Sequence, residues 1–236
     1  MQRETLDIIV PCYNPSGNWE QQLTKYYIKL KEVLHAQSIH LILVNDGSTK
    51  NFSTAQINFL EAEIPDIQII NSYPNKGKGA ALRKGIASAK GKYQIFTDVD
   101  FPYTIESIFK IFKAIQSGSN VALGYREPDY YQRVPIFRKV LSKLLRWTLK
   151  AIFKFPITDT QCGLKGFDNK GKELFSMTTI DRFLFDLEYV KLVSNDNSIS
   201  VTPVTVELRD GVEFSSVNIK VLLMELVNFI IIAFKR

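Results

Sequence analysis

The chain has 236 residues, 45% of them hydrophobic and 23% charged, which is enough apolar material for a large core and excludes a disordered or fibrous protein. Its net charge of +6 is local: positions 133–155 hold seven Lys or Arg and no acidic residue, so the remainder is slightly acidic and unlike a general nucleic-acid binder. Two cysteines, Cys12 and Cys162, exclude a disulfide framework and fit a reducing cytosol, and no stretch reaches the roughly 20 apolar residues of a membrane span.

Met1 to Thr5 lead directly into a strand at Asp7–Val10, with no signal peptide expected. That strand ends at Pro11-Cys12-Tyr13-Asn14-Pro15, and a helix is predicted from Trp19 to Gln37. A strand at Leu41–Val44 runs into Asn45-Asp46-Gly47-Ser48-Thr49, followed by a helix (Ala55–Glu63) and a strand (Ile67–Ile70). Asn75-Lys76-Gly77-Lys78-Gly79 opens a helix at Ala80–Ala89, whose amides beside Lys76 and Lys78 would suit a diphosphate. A strand at Tyr93–Thr97, a helix at Ile105–Gln116 and a strand at Asn120–Leu123 complete the alternation. Such alternation predicts an α/β fold, a mostly parallel sheet covered by helices on both faces. Asn14, Asp46, Lys78 and Asp98 all follow strand ends, where open sheets of this kind bind ligands.

The pair Asp98-Val99-Asp100 stands where the strand Tyr93–Thr97 gives out. On a continued strand, alternate residues point the same way, so both carboxylates would face one space. Such hard oxygen ligands suit Mg²⁺ or Mn²⁺ completed by water and a diphosphate. Neither a Gly-x-Gly-x-x-Gly after the first strand nor a Gly-x-x-x-x-Gly-Lys-Ser/Thr loop is present, which argues against dinucleotide and P-loop sites. His35 and His40 lack metal-ligand spacing and are expected to be structural.

Ile9-Val10-Pro11-Cys12-Tyr13-Asn14, Val44-Asn45-Asp46-Gly47-Ser48, Asn75-Lys76-Gly77-Lys78-Gly79-Ala80 and Asp98-Val99-Asp100 together resemble family 2 glycosyltransferases with the GT-A fold. Asp159-Thr160-Gln161-Cys162-Gly163-Leu164-Lys165 and Arg182-Phe183-Leu184-Phe185-Asp186-Leu187-Glu188 look more specifically like dolichyl-phosphate glucosyltransferases. The resemblance implies that Pro11, Tyr13, Asn14 and Asp46 hold the base and ribose of a nucleotide-sugar donor, with Asp46 at a base edge. It implies that Asp98 meets ribose or metal and that Asp100 binds Mg²⁺ or Mn²⁺. Pro102 stands where some members carry a further polar residue.

Within positions 133–155, Lys139, Lys143, Arg146, Lys150 and Lys154 recur at helical spacing opposite Leu141, Leu144, Leu145, Ile152 and Phe153. That predicts a basic amphipathic helix on an anionic membrane surface, each cation adding about 1 kcal/mol. The resemblance places the acceptor phosphate near it, on Arg126, Arg138, Ser142 and Lys143. A GT-A domain is expected over 1–210. The apolar segment 211–236 would be a further helix at the membrane interface or against a second subunit of a homo-oligomer.

These readings predict an inverting transfer of a sugar, glucose from UDP-glucose by the resemblance, to a polyprenyl phosphate on the cytoplasmic face of a membrane. A hydroxyl acceptor, as in cell-surface polysaccharide synthesis, would need a general base, and Asp159 is the candidate; with a phosphate acceptor Asp159 would orient a substrate instead. Gln161 and Lys165 would line the acceptor pocket. Asp186 and Glu188 would serve there or stand as surface charges on a helix. A catalytically silent nucleotide-sugar-binding scaffold is the third reading.

Overall fold

The computed structural model of the protein describes residues 5–34, 38–127, 159–212, 225 and 227–232. Its strands are β1 (Thr5–Cys12), β2 (Ser38–Asp46), β3 (Ile67–Ser72), β4 (Tyr93–Phe96), β5 (Val121–Tyr125), β6 (Lys165–Phe167) and β7 (Val201–Thr205). They form one sheet in the order β3-β2-β1-β4-β6-β5-β7, in which β6 runs antiparallel to both its neighbours and the other pairs are parallel. The helices are α1 (Trp19–Val33), α2 (Thr54–Glu63), α3 (Lys78–Ser88), α4 (Ile105–Gln116), α5 (Asn169–Ser176) and α6 (Phe185–Asn195).

The central strands are apolar almost throughout because both their faces are covered. Leu6, Ile8 and Val10 of β1, Leu41 and Leu43 of β2 and Ile95 of β4 pack with α1 and α4 on one side. Ile9, Ile42, Val44 and Phe96, the residues between them, pack with α3, α5 and α6 on the other. Each such fully buried aliphatic side chain contributes about 1.5–3 kcal/mol, so period-two alternation fixes register and orientation together. Helix α3 lies close on the sheet at Gly85, where a Cβ would stand 2.6 Å from Ile9 Cγ2 and 2.8 Å from Val44 Cγ2.

The predicted alternation of strands and helices holds as far as β5, with strand ends shifted by a few residues. Helix α1 ends at Val33, short of the expected Gln37. Beyond the expected pattern lie β6, which enters the sheet backwards, and then α5, α6 and β7. Residues 227–232 are helical and rest on α6: Phe229 and Ile232 join the second core, and Lys191 Nζ donates to the Ile232 carbonyl at 2.6 Å. Val227, Ile230 and Ile231 face outward. The expected basic helix 133–155 lies outside the described residues. No helix among the described residues is long and apolar enough to cross a membrane.

Candidate active site

The carboxyl ends of β1, β2 and β4 share one rim, and strand order turns about β1 there, the position where open sheets leave a crevice. On the β1–β2 side the polar residues mostly hold each other. Asn14, in the left-handed region at φ 44, accepts from the amides of Thr49 (2.8 Å) and Lys50 (2.9 Å), while its own amide donates to Ser48 Oγ at 2.9 Å. Asp46 is buried, and its carboxylate accepts from Asn75 Nδ2 (2.9 Å), the Lys76 amide (3.0 Å) and the Gly77 amide (2.7 Å). The Asp46 carboxylate, expected at a base edge, is engaged here by the loop that starts α3. Tyr13 differs, standing 52% exposed at the end of β1, with Pro11 half-buried before it.

Several amides of the diphosphate cradle expected at 75–79 are already engaged. Asp46 takes the Lys76 and Gly77 amides, and the Ala80 amide donates to the Asp181 carbonyl at 3.1 Å. The 179–181 segment is pulled onto this helix end by Glu188, which accepts from the Thr179 and Ile180 amides at 2.7 and 2.8 Å, and by the Arg83–Asp181 ion pair. Glycine is required at 77, where φ is 116 and a Cβ would lie 2.5 Å from the Asp181 carbonyl oxygen.

On the β4 side, charged groups meet charged groups. The strand ends at Phe96, and the two aspartates sit in a turn closed by the Phe101 amide donating to the Asp98 carbonyl at 2.9 Å, not on a continued strand. Both are partly exposed, and Asp98 forms an ion pair with Lys78 Nζ. Burial and then the neighbouring Asp98 charge push the Asp100 carboxyl above the usual carboxylate range. Burial lowers the Lys78 amine, but Asp98, Asp186 and Asp100 together hold it above its ordinary value.

Behind that pair lie two buried ion pairs. Arg126 donates through Nε and Nη2 to the two oxygens of Asp159, both at 2.7 Å, and its amide adds a bond at 3.0 Å. Burial alone would raise the Asp159 carboxyl, yet the Arg126 hydrogen bonds and charge hold it below the usual range. A carboxylate so bound is a poor proton acceptor, which suits the expected orienting role of Asp159 better than the general-base one. Lys165, wholly buried in β6, donates to Asp186 Oδ1 (2.6 Å) and to the carbonyls of Cys162 (2.6 Å) and Thr160 (3.1 Å). It is therefore a core residue of this wall and not a pocket-lining one. Asp186 and Glu188 are likewise buried, not surface charges. Gln161 is exposed.

Residues 7–177 match the family described as Glycosyl transferase family 2. The chain belongs to that family. The chain is 28% identical over 207 residues to the dolichyl-phosphate beta-glucosyltransferase of Saccharomyces cerevisiae, covering 79% of this chain and 62% of that relative. It is 28% identical over 198 residues to the human dolichyl-phosphate beta-glucosyltransferase, covering 78% and 61%. The chain thus spans under two thirds of the length of these relatives. Among solved structures it resembles mannosyl-3-phosphoglycerate synthase from Rubrobacter xylanophilus, with TM-score 0.64 and 11% identity over 98% of this chain and 73% of the other. It also resembles the mannosyltransferase PcManGT from Pyrobaculum calidifontis, a complex with GDP-Man and Mn²⁺, with TM-score 0.60 and 14% identity over 86% and 56%. The sheet and its helices are the GT-A fold.

The chemistry of the acidic turn fits a divalent cation. Burial and then the neighbouring Asp98 charge raise the Asp100 carboxyl, and a cation beside the two would offset both effects. A side chain at Gly163 would displace the ion pair, since a Cβ there would lie 2.8 Å from Asp98 Oδ2 and 3.5 Å from Lys78 Nζ. Among the described residues no three His, Cys, Asp or Glu gather as a metal site, so a cation here would draw its remaining ligands from phosphate and water.

One residue of this wall escaped the sequence reading. Arg209 donates from Nε to the Phe101 carbonyl (3.1 Å) and from Nη2 to the Asp100 carbonyl (3.2 Å), and its guanidinium lies 5.6 Å from the Tyr26 ring centroid. Tyr26 in turn stacks on Phe101 at 5.6 Å. Phe101 is held at φ 45, a conformation costly for a non-glycine residue, and this clamp maintains it directly after Asp100. No spacing in the sequence links position 209 to position 100. Arg138, Ser142 and Lys143 of the expected acceptor-phosphate group lie outside the described residues.

Proposed function

We propose that this glycosyltransferase moves glucose from UDP-glucose to a polyprenyl phosphate, with inversion, at the surface of an anionic membrane. The state of Asp159 carries the choice of acceptor. A hydroxyl nucleophile needs a base, whereas a phosphate oxygen is already anionic at neutral pH, and the carboxylate expected to be that base is bound on both oxygens by Arg126. The likeness to the yeast and human dolichyl-phosphate beta-glucosyltransferases supports the same acceptor class and sugar.

In this reading Tyr13, exposed at the rim, stacks on the base. Asp46 and Asn14 act on the donor indirectly, by holding the loops that wall it. Asp98 and Asp100 hold Mg²⁺ or Mn²⁺, which would offset the charge developing on the departing diphosphate. Arg209 keeps Asp100 aimed. Asp159 fixes the direction of Arg126, and Arg138, Ser142 and Lys143 join it at the acceptor phosphate, with Gln161 beside them. The basic segment 133–155 holds the enzyme on the membrane from its cytoplasmic side, where the lipid's phosphate is presented in line with the anomeric carbon.

The test is incubation with labelled UDP-glucose, Mn²⁺ or Mg²⁺, and polyprenyl phosphate in anionic vesicles. Label entering the organic-phase lipid is the expected result. Label passing only to water-soluble acceptors would replace this reading with the hydroxyl-acceptor one.

A further inference from the structure

Lys78 stands where two roles compete. Its amine is the ion-pair partner of Asp98 and also faces the charges of Asp100 and Asp186. Its side chain is 19% exposed, whereas that of Lys165 is wholly buried. Lys165 already occupies one oxygen of Asp186 at 2.6 Å, and Gly163 leaves no side chain between Lys78 and Asp98. Two ion pairs thus adjoin, Lys165–Asp186 wholly inside the wall and Lys78–Asp98 partly exposed, with the charges of Asp100 and Asp186 also acting on Lys78.

We propose that Lys78 is a tethered stand-in cation: it neutralises Asp98 while the donor site is empty and passes to the diphosphate when nucleotide sugar arrives. This deepens the donor-site reading above and rests on it. A divalent ion approaching the empty site meets a carboxylate pair already partly neutralised, so metal alone binds weakly. A diphosphate brings at least two negative charges, draws the lysine away from Asp98 and leaves both carboxylates for the metal. Metal and nucleotide then bind cooperatively, and the coupling lies in the lysine's change of partner.

Calorimetric titration of Mn²⁺ into the full chain, with and without UDP, tests this without turnover. Wild type should bind Mn²⁺ weakly alone and much more tightly with UDP. Lys78→Met should bind Mn²⁺ alone about tenfold more tightly than wild type, the effect of removing one nearby like charge, and should lose most of the gain from UDP. Lys78→Arg, which keeps the charge, should stay close to wild type, and Lys78→Gln serves if the Met variant melts early. If neither neutral variant tightens binding of the metal alone, the inference fails while the donor reading stands. If wild type binds neither Mn²⁺ nor UDP in any combination, the donor reading itself fails and the inference with it.

Discussion

The two halves of the rim use their polar residues differently. At the ends of β1 and β2, Asn14 and Asp46 accept backbone amides from loops 48–50 and 75–77. At the end of β4 and in the wall behind it, Asp98, Asp159 and Asp186 meet lysine or arginine. Hydrogen bonds from backbone amides set the shape of a loop, whereas ion pairs set how charge is distributed where a diphosphate would sit. Motif residues of equal prominence in the sequence are therefore architectural in one half and electrostatic in the other. Substitutions should separate the halves: Asp46 holds stability and binding together, the acidic turn carries chemistry, and the buried ion pairs behind it carry stability.

The largest effect is expected inside the electrostatic half. Lys165→Met leaves Asp186 charged in the core without its partner and should cost about 3–5 kcal/mol in urea unfolding. Adding Asp186→Leu to it should restore much of that loss, because a packed apolar pair replaces an orphaned charge. A Lys165→Met variant as stable as wild type would show that Asp186 is neutral there and would break the charge map drawn above. Next comes Asp100→Asn, expected to lower transfer to lipid by about 10²–10³-fold with an unchanged melting temperature, as when one preorganised electrostatic group is removed. Retained transfer would remove Asp100 from the metal role.

In the architectural half, Asp46→Ala strands the Lys76 and Gly77 amides and should destabilise the protein by about 1–3 kcal/mol, with weaker UDP binding following from the loosened loop. If UDP affinity fell with no loss of stability, Asp46 would be a direct donor ligand and the contrast between the halves would collapse. Tyr13→Ala should leave stability intact and raise KM for UDP-glucose by an amount worth about 1–3 kcal/mol, the range for one base stacked on one ring.

How far the sequence carried this reading follows from the same contrast. Elements β1 to β5 were legible because each strand holds its own apolar run and each helix its own start, such as the Thr104 cap of α4, whose hydroxyl accepts from the Ser107 amide. Strand β6 was not, being three residues led by a lysine whose burial depends on Asp186, 21 positions away. Strand β7 hides behind Pro203, tolerable because β7 lies at the sheet edge. Asp98 and Asp100 stood out by spacing, but the Lys78 and Arg209 contacts that set their surroundings are long-range and leave no local mark. The acceptors that engage the Lys76, Gly77 and Ala80 amides, Asp46 and the Asp181 carbonyl, likewise arrive from other elements.

The smallest expected effect bears on the Arg126–Asp159 pair and is read from pH. Asp159 has a folded pKa below its unfolded value, near 3.9 for an aspartate, because Arg126 outweighs the effect of burial. Above that unfolded value the carboxylate is charged in both states and the pair contributes its full stability. Below it the unfolded chain takes up a proton that the folded chain resists, so stability is lost as pH falls through the folded pKa. Asp186 and Asp100 work in the opposite sense: burial raises their folded values, so they take up protons more readily when folded and favour the native state as pH falls toward the usual carboxylate range. Asp159→Asn should therefore flatten the stability curve below about pH 4 while leaving the slope just above it unchanged. Urea unfolding of both proteins across that interval makes the comparison. Equal slopes below pH 4 would mean that Asp159 titrates normally, which would free its carboxylate to act as a base and reopen the case for a hydroxyl acceptor.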